Sequence, residues 1–337
     1  MTVPPLDDPE LLPFKLDLIG RRVLWLRLSS EQRRAAAFLD ERAVPKDAQG
    51  AWLPLESLLD VPQLAAPDAA GIFHIGHCGS TLLSRLLESW PQVQGLREPL
   101  PLRTLAEAWP LLATPQSRLD PAQAPVLLQR LWARWSQALP PAMRSVVKAS
   151  SSCNGLIVPL LAQAPELRVV LLDQPLRPYL ATLLKAPASV LDAAHASGER
   201  LGDLQARGIA ERVALHALSL PQQCAMGWLA ERVRFAAFDR DPRVLRVDFE
   251  TLLAHPQATL HAIASHLSLP ETGVGAALAS PDWGRYSKAQ DHDYGRDDRA
   301  HDLALATQRH GADIAAGSDG VAQFVRGNPG LRSMVGG

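Results

Sequence analysis

The chain has 337 residues, 47% of them hydrophobic and 20% charged, a globular composition with enough length for a sizeable core. A net charge of −1 gives no electrostatic case for nucleic acid or an anionic membrane as partner. No run of eighteen apolar residues suggests a membrane span, and three cysteines (Cys78, Cys153, Cys224) form neither a disulfide framework nor a metal spacing.

In chain order, residues 1–20 are Pro-rich and expected to be loosely ordered. The opening MTVPPLDDPE lacks the basic and apolar regions of a signal peptide, so a reduced, cytoplasmic setting is expected. RRVLWLRL (21–28) predicts a strand, and SSEQRRAAAFLDERA (29–43) a helix capped by Ser29 or Ser30. Prolines between Pro62 and Pro67 interrupt the pattern. Residues 1–68 therefore read as an N-terminal extension, a small α+β unit with no assigned role.

The next run is the most informative. Ile72, Phe73 and Ile75 form a strand pattern that enters Gly76 and Gly79. Ser80 and Thr81 follow, and Leu82, Leu83, Leu86, Leu87 and Trp90 recur at helical spacing before Pro91. A strand, a glycine turn and a helix N-terminus together make an anion site, because loop N–H groups and the helix dipole point at one place. The alternative is a glycine turn with no ligand. The loop is not the G-x-x-x-x-G-K-[ST] phosphate loop, because Ser80 rather than Lys follows Gly79.

Beyond this loop, strands predicted at 93–98, 145–150, 168–173 and 243–249 alternate with helices at 101–113, 121–138, 154–164 and 175–185. Residues 188–236 read as mainly helical, and a helix pair over 250–269 is split at Pro256. The alternation predicts an α/β fold, a mainly parallel sheet flanked by helices in a three-layer sandwich of P-loop type, over residues 69–310. Residues 311–337, rich in Gly and Ala, read as a flexible tail.

Several segments in this order resemble the sulfotransferase family that uses 3′-phosphoadenosine 5′-phosphosulfate (PAPS), across about residues 70–300. HCGSTLLSRLL is similar to the family's 5′-phosphosulfate loop R-S-G-T-T-L, with His77 at its Arg and Cys78 at its first Ser, while Gly79, Ser80 and Thr81 match. GLREPLPLR resembles the segment that carries a catalytic Glu in tyrosylprotein and bacterial members. VVKASSSCNGLIVPLLAQAPELRVVLLDQPLRPYL resembles the K-x-P to R-D-P region. RVLRVDFETLLAHP resembles the late strand and helix, and RYSKAQDHDYG the C-terminal segment that closes over the nucleotide.

The resemblance implies Glu98 as base and Lys148 as the lysine that neutralises the leaving oxygen. It implies PAPS as donor and a hydroxyl or amine on a small molecule or peptide as acceptor. His77, Cys78, Gly79, Ser80 and Thr81 would hold the 5′-phosphate end. At the 3′-phosphate site the chain departs from the pattern: Asp173 stands at the family's Arg and Ala181 at its Ser. Arg177 and Thr182 are the nearby substitutes, and Arg285 and Lys288 come from the closing segment. Ser150 stands where cytosolic members have a catalytic His, which directs the base role to Glu98.

Each role has a plainer rival. Glu98 before a proline suits a solvated turn. His74 suits a satisfied core histidine. Cys78 suits either a packed small residue or a thiol with a lowered pKa near a helix N-terminus. Asp173 after an apolar strand also suits an Mg2+-holding aspartate. That leaves an NTP-dependent phosphotransferase, or a non-catalytic nucleotide- or partner-binding protein, as the other functional readings. No metal site is expected. Glu98 and Lys148 are both expected at strand ends rather than in the core.

Overall fold

The computed structural model describes residues 6–61 and 69–335. The prolines at 62 and 67 lie outside the described residues. The N-terminal unit is an antiparallel sheet of β1 (Leu11–Asp17), β2 (Arg22–Arg27) and β3 (Gly50–Pro54), in that spatial order. Leu12 faces Leu26, and Val23 faces Leu53. Residues 1–20, expected to be loose, therefore contain a strand. Pro13 obscured it, yet proline is tolerated there because β1 is an edge strand with a register shift between Pro13 and Lys15. Leu11, Leu12, Phe14 and Leu16 are buried while Lys15 is exposed, so the strand packs one rich apolar face.

The helix expected over 29–43 stops early. It runs Ser30–Ala35, opened by a capping box in which Ser29 and Gln32 bond each other's backbone. The cause of the stop is tertiary. The fully buried Arg97 guanidinium donates to the Arg34 and Ala36 carbonyls at 3.1 and 2.8 Å. In a continuing helix those carbonyls would accept from residues four further on. Instead Leu39 donates its N–H to the Arg97 carbonyl at 2.7 Å, and the chain crosses the sheet edge as a strap.

The main sheet has five parallel strands: β4 (Ala70–His74), β5 (Val93–Arg97), β6 (Arg144–Lys148), β7 (Val169–Asp173) and β8 (Val244–Asp248). Their spatial order is β5-β6-β4-β7-β8, with β4 central. Strands β4, β5 and β7 are buried along their whole length, as expected where helices cover a parallel sheet. The connection after β4 runs outward to β5, whereas β7 pairs on the other side of β4. Crevices in such sheets open at the carboxyl ends beside this reversal. The residues ending the five strands are His74, Arg97, Lys148, Asp173 and Asp248, all polar.

The Gly/Ala-rich C-terminal stretch is not a loose tail. Gly311–Gly327 is a helix that packs on Leu220–Ala236 with Ile314, Val321 and Phe324 buried. A Cβ at Gly317 would meet Leu180 Cδ1 at 2.9 Å and the Pro221 carbonyl at 3.0 Å. That glycine serves close helix approach rather than freedom of the chain. Among the described residues, no helix is long and apolar enough to cross a membrane.

Candidate active site

The loop after β4 is held from three sides. His74 Nε2 donates to the Ala149 carbonyl at 2.9 Å, and its Nδ1 accepts from Gly76 N–H at 3.0 Å. His74 is thus a fully bonded, buried neutral histidine that fastens the loop to the end of β6. Burial, then the neighbouring Lys148, holds its pKa well below the usual range. Gln174 Nε2 donates to the His77 carbonyl at 3.1 Å, and Asn154 Nδ2 donates to the His74 carbonyl at 2.9 Å. Backbone angles with φ of 92°, 54° and 72° at Gly76, His77 and Gly79 curl the loop. Gly79 is required, since a Cβ there would run into the Phe249 ring.

The eight-residue helix Ser80–Leu87 starts directly at this turn. The Ser80 and Thr81 hydroxyls are buried and make no hydrogen bond to any described residue, although both line a cleft. The cleft lies at the carboxyl ends of the strands. His77, Cys78, Gly79, Ser80, Thr81, Glu98, Lys148, Thr182, Arg285 and Lys288 all line it. Of the residues expected in the site, only Arg177 stands apart, exposed on the helix Leu176–Leu184 and outside the lining. Ser150 is turned toward Ser152 Oγ (3.0 Å) and Cys153 Sγ (3.2 Å), also away from the cleft.

Lys148 and Glu98 form an ion pair at the floor. Lys148 is 1% exposed and Glu98 26%, so the lysine belongs to the core, contrary to the expectation from its strand-end position. A lysine that deep needs a carboxylate, and Glu98 is the one supplied. Glu98 itself sits at φ 54°, a conformation that favours glycine, and its N–H donates to the Lys148 carbonyl at 2.6 Å. A non-glycine residue held there is strain of the kind that gathers at functional sites.

The rest of the lining mixes apolar and aromatic side chains and Asp282 with a cluster of cations. Three of the five lysines in the chain, Lys148, Lys185 and Lys288, share this cleft with Arg285, Arg296 and Arg299. Lys185 is paired with Asp302 at 2.7 Å, and Arg299 with Glu250 at 3.1 Å. Lys288 has no carboxylate partner among the described residues. Burial, then Lys148, lowers its pKa. His77 is pushed down to about 4 by burial and by Lys288, Lys148 and Lys185, so it is neutral at pH 7. Lys185, Arg296 and Arg299 were missed by the sequence reading. The scarcity of lysine was the available signal for Lys185, whereas the two arginines open a helix (Arg296–Arg309) with no motif of its own.

Of the two readings open for Cys78, the packed one fits: it is completely buried and its thiol is pushed up to about 12 by burial and then by Asp173. Asp173 does not face the cleft. Its carboxylate pairs with Arg246 and with Arg232 at 3.5 Å. It therefore neither repels an anion in the cleft nor stands ready to hold Mg2+. Among the described residues, no group of three His, Cys, Asp or Glu side chains is placed to hold a metal ion.

The closing segment is a small hairpin. Arg285 bridges Asp293, Tyr286 N–H donates to the His292 carbonyl at 2.8 Å, and the Tyr286 and Tyr294 rings meet edge-on at 5.5 Å. Arg85 Nε, from the helix after the loop, donates to the Ser287 carbonyl at 2.9 Å. The hairpin that carries Arg285 and Lys288 is thereby moored to the helix that presents Ser80 and Thr81.

No family model and no curated protein matches the chain. Among solved structures, it is similar to a sulfotransferase from Mycobacterium avium at 13% identity and a TM-score of 0.40, over 75% of this chain and 78% of that one. It is similar to the sulfotransferase domain of the curacin biosynthetic pathway at 14% identity and 0.41, over 73% and 91%. It is also similar to the sulfotransferase domain of the Synechococcus PCC 7002 olefin synthase at 14% and 0.40, over 77% and 97%. Likeness this loose bears on neither activity nor acceptor.

Proposed function

We propose that the chain is a sulfotransferase that moves a sulfuryl group from PAPS to a hydroxyl or amine. The observation that carries this reading is the Glu98–Lys148 pair on the floor of a cleft rich in cations, beside a loop whose Ser80 and Thr81 hydroxyls have no partner among the described residues. Two free hydroxyls and a turn of N–H groups fit a phosphate or phosphosulfate end. Arg285, Arg296, Lys185 and Thr182 are cleft residues available to a second phosphate, in place of the arginine that Asp173 replaces.

Bound there, the donor supplies the sulfuryl group and a phosphate leaving group. Glu98 accepts the proton from the acceptor hydroxyl as the oxygen bonds to sulfur. Lys148 meets the charge that gathers on the bridging oxygen as its bond to sulfur breaks. Ser80, Thr81 and the loop N–H groups hold the phosphate in line. The arginines that occupy Asp173 weigh against an Mg2+-dependent phosphotransferase, and among the described residues no group of three His, Cys, Asp or Glu side chains is placed to hold a metal ion.

The test is a thermal-shift panel with adenosine 3′,5′-bisphosphate, ADP and ATP, each with and without Mg2+. A ligand specific to the folded state raises stability by RT ln(1 + [L]/Kd), about 2.7 kcal/mol at a hundredfold excess. The expected result is a metal-independent shift, largest with adenosine 3′,5′-bisphosphate. A larger shift with ATP and Mg2+ would put a phosphotransferase in its place. No shift with any nucleotide would leave a non-catalytic protein.

A further inference from the structure

The strap 36–43 of the N-terminal unit reaches the catalytic pair. The Phe38 ring lies 5.9 Å from Nζ of both Lys148 and Lys288, and 4.2 Å from the Arg42 guanidinium carbon. Three cations thus surround one aromatic ring, an arrangement that holds the ring in place and keeps it beside the charged floor. The Arg97 bonds that end the preceding helix fix the strap at this height.

Between the strap and the hairpin runs a groove of about 380 Å³. Its apolar walls are the alanines 35–37 and 43 and the Phe38 ring, with Gln32, Arg42 and Lys288 at its polar positions. Lys288 also lines the main cleft, so it stands where the groove and the cleft adjoin. Neither wall offers a carboxylate. Arg42 is 68% exposed and its one acidic partner is Asp40, two residues away on the same strap. The groove is therefore partly apolar, and its charged lining residues, Arg42 and Lys288, are both cations.

We propose that this groove holds the acceptor, and that the acceptor is a small hydroxylated molecule with an apolar body and one anionic end, such as a carboxylate. The body lies on Phe38 and the alanines, the anionic end meets Arg42, and the hydroxyl points past Lys288 toward Glu98. This gives the N-terminal unit the task of selecting the acceptor. The assignment rests on the sulfuryl-transfer reading.

The probes are 3-(4-hydroxyphenyl)propionate and its methyl ester, which differ only in charge at the end remote from the hydroxyl. Binding of each to the full chain is measured by calorimetry, with and without adenosine 3′,5′-bisphosphate. The acid is expected to bind about tenfold tighter than the ester, the contribution of one charge-assisted hydrogen bond. Arg42→Gln should abolish that preference and leave the ester unaffected. Phe38→Ala should weaken both probes. Neither substitution should change the affinity for adenosine 3′,5′-bisphosphate, which also shows that the variants are folded. Equal affinity of acid and ester, an unchanged preference in Arg42→Gln, or no binding of either probe at millimolar concentration overturns the proposal. Nucleotide binding without probe binding removes the groove alone. Probe binding with the expected preference but no nucleotide binding removes the transfer reading and leaves the groove.

Discussion

Lys148 and Glu98 are unequal partners, and the inequality is measurable. Removing Glu98 leaves a buried ammonium with nothing opposite. Removing Lys148 leaves a carboxylate that already touches water. Leaving the buried member of a pair uncompensated costs roughly 3–5 kcal/mol, whereas an apolar replacement of the buried charge is often nearly neutral. Glu98→Ala should therefore lower the urea midpoint more than Lys148→Met, although each should cut sulfuryl transfer by on the order of 100-fold or more. Equal destabilisation would mean that Lys148 finds another partner. The histidines add a pH dependence. His77 titrates near 4 in the folded chain against about 6.5 when unfolded. Between those values the unfolded chain binds more protons, so stability is complete above about pH 6.5 and falls as the pH drops toward 4. His77 contributes a loss of about 3 kcal/mol over that window by the size of its shift, and His74 adds to it in the same direction. Denaturant titrations at pH 7 and 5 should show the loss, and His77→Gln should reduce it. Both residues were visible in the sequence. The pairing that places Asp173 out of the cleft was not, because Arg232 and Arg246 are distant from it in sequence.

At the scale of elements, the parallel strands were legible because each is a short apolar run bounded by polar or turn residues. The loop was legible because glycine, serine and threonine fall between a strand and a helix. What was not legible depended on tertiary partners. Ala36 to Ala43 has the composition of a helix, and only the buried Arg97 turns it into a strap. Gly317 reads as a flexible position until the neighbouring helix is known. Strand β1 hides behind Pro13. The hairpin 284–294 carries the clearest prediction at this scale. Arg285 and Lys288 line the cleft from an element held by one backbone bridge, a ring contact and the Arg85 bond. An anion between Lys288 and Ser80 would join the hairpin to the loop helix a second time. Hydrogen exchange of 283–297 should slow when adenosine 3′,5′-bisphosphate is added. Unchanged exchange at saturating nucleotide would mean that the hairpin takes no part in binding.

For the whole molecule, the two sheets are one structure rather than a domain with an appendage. Arg134 Nε donates to the Leu11 carbonyl at 2.8 Å, Arg34 donates to the Val93 carbonyl at 2.9 Å, and Arg97 caps the strap. Leu12, Phe14, Trp25 and Leu58 are 2% exposed or less and belong to the same core as β4 and β6. Thermal unfolding should therefore be a single transition followed equally by tryptophan fluorescence and by circular dichroism. Deleting residues 1–61 should give an insoluble or molten product rather than a smaller folded protein. Two separated transitions would show that the N-terminal unit folds independently.

The floor ion pair has a consequence for kinetic order. The Glu98 carboxylate is engaged by the Lys148 ammonium. On the proposed transfer reading, an acceptor arriving first would meet an occupied base, and donor binding would draw the lysine toward phosphate and release the carboxylate. Turnover should then follow a compulsory sequence with the nucleotide first in and last out. Adenosine 3′,5′-bisphosphate should inhibit competitively against PAPS and noncompetitively against the acceptor, and the acceptor should show little affinity for the nucleotide-free protein at its hydroxyl end. Competitive inhibition against both substrates would mean that the pair opens without help, and that Glu98 is free to work in either order.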